Sequence, residues 1–452
     1  MLKAKKVLLC LCLFAVSLNA NAVTLDEALI GAYKNNAELN IQREELKISD
    51  EQIMQAMSRW LPNISFHSIR QHSKDSKPNL PYLPSGPSDS ARNELTFSQN
   101  LFRSGADVAS IQAAHSIIRS ARARLELMEQ TVFLKAIEGY LHVLDMRDSY
   151  QLYQKMEGDS VKHLEGIKHR FKVGDVTKVE VASIEAELSR AKANKSSARA
   201  NYESYKANFR TITGVVADNL TLPKDNISLP KSIAEAIDIS LLKNPSMIIA
   251  KSEVDASKKS IDIARGNVLP RVDLEHSVTK SSNMPTGSQA YRQTNTTFIS
   301  LTVPILGDGR GGNSWSSLRI KKRETAKAQI SMVHTTEAIQ DDAMISWEGL
   351  ESKKVILKST RDMYEARKIA YKGMQASEKA GLYSILDIIQ ARNNYFSSYI
   401  EFIKARTSYI TSLYKLKSVV GECTARGLGL PVEYYDPLKN YDSIKWQLIG
   451  AF

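Results

Sequence analysis

Hydrophobic side chains recur at helical spacing over one very long stretch of the chain, 105–170. The stretch is rich in Ala, Glu, Gln, Lys, Arg and Leu, and its recurring apolar residues are Ile118, Leu125, Met128, Val132, Ile137, Tyr140 and Leu144. Proline, which interrupts helices, is absent between Pro87 and Pro223 and again between Pro304 and Pro431. The pattern predicts a helix about 100 Å long, a length typical of coiled coils.

A short break follows this helix at Val173-Gly174-Asp175, and a second helix is predicted over about 177–213. The same pair of helices recurs around Lys379-Ala380-Gly381. The pattern therefore predicts one antiparallel helical hairpin in each half of the chain, over about 104–213 and about 312–420.

Before each hairpin the apolar residues change to a period of two, which is typical of β-strands with one apolar face. In the first half a polar, proline-rich loop at 72–90 separates the alternating residues Ile64 and Phe66 from Leu95, Phe97 and Leu101. In the second half a loop through Pro285 and Gly287 separates Val272 and Leu274 from Ile299, Leu301, Val303 and Ile305. The sequence thus predicts strand pairs over about 61–102 and 270–305, with strands about as long as tilted membrane-spanning strands.

The segment 25–62 recurs without gaps at 233–270, an offset of 208 residues. Identical residues stand at these matched positions: Glu27 and Glu235, Ala28 and Ala236, Asn36 and Asn244, Ile41 and Ile249, Glu45 and Glu253, Ser49 and Ser257, Ile53 and Ile261, Ala56 and Ala264, Leu61-Pro62 and Leu269-Pro270. Such a repeat indicates one structural unit that occurs twice.

The register of this repeat persists downstream, where Gly174 matches Gly381 and Gly214 matches Gly421 at an offset of 207. We therefore predict a first repeat at 23–230 and a second at 231–421, each with a leading helix, a strand pair and a helical hairpin. The remaining residues, 422–452, have no counterpart in the first copy. Within them we expect 427–437 to be irregular and to wrap the waist of the helical assembly.

The first 22 residues have the features of a secretory signal peptide. Lys3, Lys5 and Lys6 precede an apolar run from Val7 to Leu18, and Ala20-Asn21-Ala22 forms an A-x-A cleavage site. The alternative is an N-terminal membrane anchor, which the short apolar run disfavours. After cleavage at 1–22 only one of the three cysteines, Cys423, remains, so we expect no internal disulfide.

The net charge of the whole chain is +12, from 61 basic and 49 acidic residues. Loss of the three signal-peptide lysines leaves 58 basic residues and a net charge of +9. Nucleic-acid binding is a possible meaning of such an excess. It is disfavoured because the basic residues are spread among acidic ones and form no block interleaved with aromatics.

Only one segment resembles a catalytic or cofactor motif. Residues 307–312 read Gly-Asp-Gly-Arg-Gly-Gly and satisfy G-x-G-x-x-G, but no parallel βαβ unit surrounds them, so we interpret them as easing a strand-to-helix bend. The eight histidines are scattered, and neither HExxH nor Cys-x-x-Cys occurs. We therefore predict no enzyme activity, no cofactor and no metal site.

Four strands are too few to close a barrel, and an open sheet edge in lipid would leave costly unpaired backbone groups. The strands could pack in a soluble sandwich, or several chains could pool them in one membrane barrel. We favour pooling, because the chain is predicted to be exported and its long helices have no evident globular core to join.

The chain resembles the TolC-like outer-membrane efflux proteins over essentially its whole mature length. The residues that carry the resemblance are the paired openings Leu25-Asp26-Glu27-Ala28-Leu29 and Ile233-Ala234-Glu235-Ala236-Ile237, the Leu-Pro entries into the strands, Asn244-Pro245, the junction Val303-Pro304-Ile305-Leu306 and the turn Arg170-Phe171-Lys172-Val173-Gly174. Each motif is weak alone, but their order and their double occurrence are specific.

This resemblance implies a homotrimer in the cell outer membrane with a large periplasmic portion. Twelve strands would form one transmembrane β-barrel, and twelve helices a periplasmic α-helical barrel. It also implies a periplasmic adaptor protein and an inner-membrane transporter as partners, so that the chain would be a passive exit channel for efflux or type I secretion. The competing interpretation is an exported coiled-coil scaffold or adaptor without a pore.

At the hairpin ends, Thr177-x-x-Glu180 and Ser384-x-x-Asp387 have the spacing of helix capping boxes. The resemblance places the positions of Glu180 and Asp387 at the periplasmic entrance, where threefold symmetry would gather the carboxylates into a cation-attracting ring. The sequence is compatible with two roles for Glu180 and Asp387, as helix caps only or as helix caps that also gate the entrance. Tyr383 stands where the family pattern has a linking arginine and Gln390 where it has a second acid, so Tyr383 is expected to form a hydrogen bond instead.

These differences suggest that the second hairpin is the moving gate and the first its static neighbour. The gating candidates are Glu180, Tyr383, Asp387 and Gln390. The hairpin turns are the expected adaptor-docking sites, and their residues are Arg170, Val173, Gly174, Asp175, Lys379, Ala380 and Gly381.

Overall fold

The computed structural model describes residues 23–74, 87–223, 227–285, 292–305, 312–378 and 383–447. The predicted signal peptide, the middle of the proline-rich loop, residues 307–311 of the glycine motif and the turn at 379–381 lie outside the described residues. Of the glycine motif only Gly312 is described, directly before a long helix.

Short helices open each half of the chain. In the first half these are α1 (Leu25–Asn35), α2 (Ala37–Asp50) and α3 (Gln52–Met57), followed by a single 3₁₀ turn (Ser58–Trp60). The second half has α6 (Ile233–Lys243) and α7 (Pro245–Gly266). The prediction of one leading helix was therefore wrong in both halves.

An asparagine causes the interruption in each half. The backbones of Asn36 and Asn244 are extended, with ψ angles of 127° and 125°, so neither residue continues the preceding helix. Each side-chain oxygen accepts a hydrogen bond from the start of the next helix, at Leu39 N and Ser246 N respectively. In the second half Pro245 adds to the effect, because a residue before proline disfavours helical geometry.

The long helices form two hairpins. The first hairpin is α4 (Ala106–Lys172) packed on α5 (Lys178–Thr213), and the second is α8 (Asn313–Glu378) packed on α9 (Ile385–Val419). Gly214 and Gly421 follow α5 and α9 with φ angles of +71° and +80°, a left-handed conformation that favours glycine. A Cβ atom on Gly421 would lie 2.5 Å from the Lys243 carbonyl oxygen, so this close approach also requires glycine.

The strands form one antiparallel sheet in the order β1 (Asn63–Lys74), β2 (Pro87–Phe102), β3 (Arg271–Pro285) and β4 (Arg292–Thr302). The β2–β3 pairing joins the two halves of the chain. The β1–β2 register places Phe66 opposite Leu95, and the β2–β3 register places Leu95 opposite Val278. Apolar residues of neighbouring strands therefore share one face of the sheet. This face is uncovered, since Phe66 is 66% exposed and Ile299 is 68% exposed.

A large hydrophobic core lies where α1, α2, α4, α5, α9 and the C-terminal segment meet. Its fully buried side chains include Leu29, Phe133, Ile137, Tyr140 and Phe209. The expectation that the helices lack a globular core was wrong. The short helices of the first half pack along the N-terminal half of α4, an arrangement that the helical spacing of α4 alone does not specify.

The C-terminal segment is irregular over 427–437, as predicted. It contains the short helix α10 (Lys439–Ile444), and Cys423 is fully buried in the core. Asn440 Nδ2 donates a hydrogen bond to the buried Asp50 carboxylate at 2.9 Å, and Tyr435 N donates one to Tyr33 Oη at 2.9 Å. These contacts with α1 and α2 stabilise a segment that has little pattern of its own.

Among the described residues, no helix combines the length and hydrophobicity needed to cross a membrane.

Candidate functional site

The turn between α4 and α5 is closed by its own residues. Gly174 has a φ angle of +80°, and Asp175 N donates a hydrogen bond to the Arg170 carbonyl at 2.9 Å. The Arg170 Nε atom also lies 2.7 Å from the Asp175 carboxylate. Val173 at the tip is 79% exposed. The turn therefore presents an apolar side chain and a locally paired arginine at the far end of the hairpin.

Both predicted capping boxes are present at the starts of α5 and α9. Glu180 N donates to Thr177 Oγ1 at 3.3 Å, and the Glu180 carboxylate accepts from Thr177 N at 2.6 Å. In α9, Asp387 N donates to Ser384 Oγ and Ser384 N donates to the Asp387 carboxylate, both at 3.1 Å. Each acid thus stabilises the start of its own helix.

Asp387 is exposed, and its carboxylate also accepts a hydrogen bond from Ser384 Oγ at 2.7 Å. The Ser384 hydroxyl, followed by the Ser384 amide, lowers the pKa of Asp387 below its ordinary value. Because hydrogen bonds to the charged form favour that form, Asp387 is an anion at neutral pH.

Among the described residues of one chain, the other two gating candidates form no hydrogen bond between the hairpins. Gln390 donates to Asn394 Oδ1 at 3.0 Å, four residues further along its own helix. Tyr383 is exposed and makes no hydrogen bond to any described residue of the chain. A hydrogen-bonded latch by Tyr383 is therefore not formed with any described residue of its own chain.

The two hairpin ends nevertheless pack together. Ile385 at the start of α9 is buried against Ile167 of α4, Val176 of the turn and Ile184 of α5. The start of α9 therefore rests on the first hairpin, only two residues from Asp387.

Further along α9 from this cluster, polar contacts connect this helix to the first hairpin. The sequence did not predict these contacts. Arg392 Nη2 lies 3.3 Å from Glu187 Oε1, and these side chains are only 4% and 11% exposed. Further along, Arg406 pairs with Asp148 at 3.1 Å. The partners are more than 200 residues apart in the chain, so no local spacing could have indicated them.

A buried carboxylic acid lies in the same contact region between α9 and the first hairpin. Thr407 Oγ1 donates a hydrogen bond to Asp145 at 2.6 Å. Burial raises the pKa of Asp145 to about 6, against the opposing effects of the Thr407 hydrogen bond and the Arg406 charge. The link between α4 and α9 therefore contains a group that titrates in mildly acidic conditions.

Paired long hairpins attached to an antiparallel sheet with an uncovered apolar face are the architecture of an outer-membrane channel subunit. The fold matches that of the Campylobacter jejuni CmeC outer membrane channel with a TM-score of 0.79 at 17% sequence identity. The match covers 94% of this chain and 90% of that one.

The family model described as "Outer membrane efflux protein" matches residues 30–215 and 236–422, and the chain belongs to this family. The outer membrane efflux protein BepC of Brucella suis is 26% identical over 94% of this chain and 91% of its own length. The alkaline protease secretion protein AprF of Pseudomonas aeruginosa is 22% identical over 41% of this chain and 38% of its own.

These matches confirm the family resemblance that the sequence indicated. The protein is located in the outer membrane, with a large periplasmic helical portion. Its family consists of channel proteins and not of enzymes.

Proposed function

We propose that this chain is the exit channel of a tripartite efflux or type I secretion system. Three copies form a passive conduit across the outer membrane, coupled through a periplasmic adaptor to an inner-membrane pump. The observation that carries the proposal is the incomplete sheet, whose apolar face is uncovered and whose outer strands, β1 and β4, each pair on one side only.

The sheet's open edges argue for an oligomer. Inside a bilayer each unpaired backbone group costs several kcal/mol, so strands that face lipid must close into a barrel. Four strands are too few, whereas three chains supply twelve, an even number within the range of bacterial outer-membrane barrels. β4 of one chain would then pair with β1 of the next.

The helices extend the pore away from the membrane. Each chain contributes α4, α5, α8 and α9, so three chains supply twelve long helices for a tunnel. Solutes move through this conduit by diffusion, and the energy for transport comes from the inner-membrane partner. The relatives include one protein named for efflux and one named for protease secretion, so either cargo is compatible with the fold.

The hairpin turns form the adaptor-docking surface of this proposal. Arg170, Val173, Gly174 and Asp175 lie at the tip of the first hairpin, and Lys379, Ala380 and Gly381 stand at the matched sequence positions between α8 and α9. Exposed Val173 offers an apolar contact at the first tip. Scrambling both turns should abolish adaptor cross-linking while the trimer persists, and undiminished cross-linking would contradict the assignment.

The gate of this proposal lies beside the turns, at Glu180, Tyr383, Asp387 and Gln390. Asp387 supports it best, because an exposed ionised carboxylate repeated by threefold symmetry would focus a negative field at the entrance. The Tyr383 hydroxyl, which has no partner among the described residues of its own chain, is available to a neighbouring subunit.

Reconstitution into planar bilayers together with native mass measurement tests the proposal. We expect discrete conductance steps and the mass of three mature chains. The matched control is the chain with Phe66→Asp and Ile299→Asp, which places charges on the apolar face of the sheet and should prevent insertion. A monomer without conductance, released from membranes by washing, would instead establish a periplasmic scaffold or adaptor.

A further inference from the structure

A cavity of about 490 Å³ lies among α4, α8 and α9, a short distance from the hairpin ends. Its size falls within the range of small-molecule sites. Each helix contributes residues at three- or four-residue spacing, for example Lys368, Tyr371 and Lys372 on α8, so one face of every helix is turned toward the cavity. The cavity is separate from the capping boxes and from the hairpin turns.

The charged lining of this cavity is cationic apart from one acid, Asp159. The cations are Lys155, Lys162, Lys368, Lys372 and Arg392. Two further acids approach them, since Glu365 lies 3.0 Å from Lys368 and Glu187 lies 3.3 Å from Arg392. Five cations therefore face three acids. The excess is therefore two positive charges, and Lys155, Lys162 and Lys372 form no ion pair with any described residue.

Arg392 forms the buried part of this cationic lining. The residue is only 3% exposed, and its Nε atom makes no hydrogen bond to any described residue. Its Nη2 atom lies within ion-pair distance of Glu187 but also makes no well-directed hydrogen bond. A buried guanidinium is costly unless its donors are satisfied. Arg392 therefore adds a buried, incompletely hydrogen-bonded positive charge to the wall of the cavity.

The rest of the lining combines the polar residues His163 and Gln375 with apolar and aromatic side chains. Ile388 and Ile389 line the cavity from α9, and Ile388 is buried. Tyr395 of α9 and Tyr371 of α8 also line it, with ring centroids 5.6 Å apart and planes only 12° from parallel. These side chains offer flat apolar surface beside the cations, which suits a ligand with a planar ring.

We propose that this cavity, which is called the α4–α8–α9 cavity below, binds small aromatic anions that carry carboxylate or phosphate groups. The lysines and Arg392 hold the anionic groups, and the tyrosines and isoleucines contact the ring. The assignment concerns equilibrium binding and does not depend on the chain forming a channel.

Isothermal titration of the full mature protein in detergent tests the site, with phthalate as the probe. Maleate carries two similarly placed carboxylates without the ring, and benzamidine carries the ring with a positive charge. We expect saturable phthalate binding, weaker maleate binding and no benzamidine binding. Phthalate affinity should fall as salt is raised to about 1 M, where the Debye length is about 3 Å.

The test variant is Lys155→Gln with Lys372→Gln, which removes one cation from each of two walls. Each lysine attracts a nearby carboxylate electrostatically, so we expect the loss of both to lower phthalate affinity about tenfold. Both residues are exposed, and their replacement should leave the thermal unfolding midpoint unchanged. The matched control is Lys327→Gln with Lys358→Gln, which removes two exposed charges of α8 that lie outside the cavity.

The control should bind phthalate as the unaltered protein does. Absence of saturable phthalate binding would overturn the proposal, and so would equal losses in the two double variants. Maleate binding as tight as phthalate would overturn the aromatic part. Because titration does not require conductance, a protein that binds phthalate but forms no pore would refute the channel and retain this site.

Discussion

The helices α4 and α8 occupy equivalent places in the two halves of the chain, yet they are buried very differently. They have nearly the same length, 67 and 66 residues, and each begins a hairpin. At the offset of 207 seen for the paired glycines, Ile137 of α4 matches Met344 of α8. Ile137 is 0% exposed and Met344 is 48% exposed. The duplication has preserved the elements but not their surroundings.

The difference in burial between α4 and α8 arises from the elements that pack on each helix. α4 contacts α1, α2, α3, α5, α7 and α9, whereas α8 contacts α6, α7 and α9. The large apolar side chains left exposed on α8 are Trp315, Ile320, Ile330, Val333, Met344, Ile345, Val355, Ile356 and Ile369. A row of uncovered apolar residues marks an interaction surface. Under the trimer proposal, this surface of α8 meets a neighbouring chain.

Paired alanine substitutions should give the largest effect. Ile137→Ala leaves a cavity in the packed core and should lower the free energy of unfolding by about 2–5 kcal/mol. Met344→Ala should change the stability of the isolated subunit by less than about 0.5 kcal/mol. Guanidinium unfolding followed by circular dichroism in detergent measures both.

The same two variants also test the assembly. If a neighbouring subunit covers α8, Met344→Ala should lower the temperature at which the oligomer dissociates, while subunit helicity is kept. Equal effects of the two substitutions on subunit unfolding would show that α4 and α8 are buried alike.

The two halves should contribute differently to the pH dependence of stability, because Asp145 of α4 is a buried acid and its matched position on α8 is not an acid. The position that matches Asp145 is the exposed Ser352. With its pKa raised to about 6, folded Asp145 holds its proton more tightly than the unfolded chain does. Its contribution is therefore fully present below about pH 4 and is lost as pH rises through about 6, a change of up to about 3 kcal/mol.

Asp145→Asn should remove this part of the pH dependence and make the protein more stable at pH 7 than the unaltered chain. The control is Asp362→Asn, at an exposed position of α8. Unfolding curves recorded between pH 4 and pH 7 measure the difference. An identical slope in the unaltered and Asp145→Asn proteins would exclude a role for this buried acid.

The paired asparagines should have effects of similar size in both halves. Beyond its capping bond, Asn36 Nδ2 donates to the Ile212 carbonyl at 2.9 Å, and Asn244 Nδ2 donates to the Val419 carbonyl at 2.9 Å. Replacement by alanine removes both bonds at either site and should cost about 1–2 kcal/mol.

Asn201→Ala is the control for these substitutions. Asn201 is exposed within α5, where alanine has the higher helix propensity, so stability should rise slightly. A large difference between the Asn36 and Asn244 variants would show that the repeated motif stabilises only one half.

The smallest effect on stability is expected at the capping acids, where the two halves should differ in function. In single-channel recordings, Asp387→Ala should weaken block by multivalent cations several-fold, because it removes an exposed carboxylate from the proposed entrance. Glu180→Ala should leave block nearly unchanged if the second hairpin is the gate. Unaltered block in the Asp387 variant would exclude the acidic ring without affecting the fold.

The features that were predictable from the sequence are those that local spacing encodes. The apolar period of α4, the alternation in the strands and the serine or threonine three residues before an acid all specify contacts within one element or between adjacent ones. The single leading helix was mispredicted because an asparagine does not by itself interrupt a helix. Here the side chains of Asn36 and Asn244 donate to the distant carbonyls of Ile212 and Val419, and no local pattern indicates these tertiary contacts.

By itself, the sequence determined the long hairpins, the strand pairs, the duplication and the family, since periodicity and matched residues carry that information. Only the tertiary structure decided which copy is buried and where the C-terminal segment packs. It also decided how α9 meets the first hairpin, through Arg392 with Glu187 and Thr407 with Asp145. Those contacts join residues far apart in the chain, and their burial depends on which neighbouring surfaces remain uncovered. Neither property produces a periodic pattern in the amino-acid sequence.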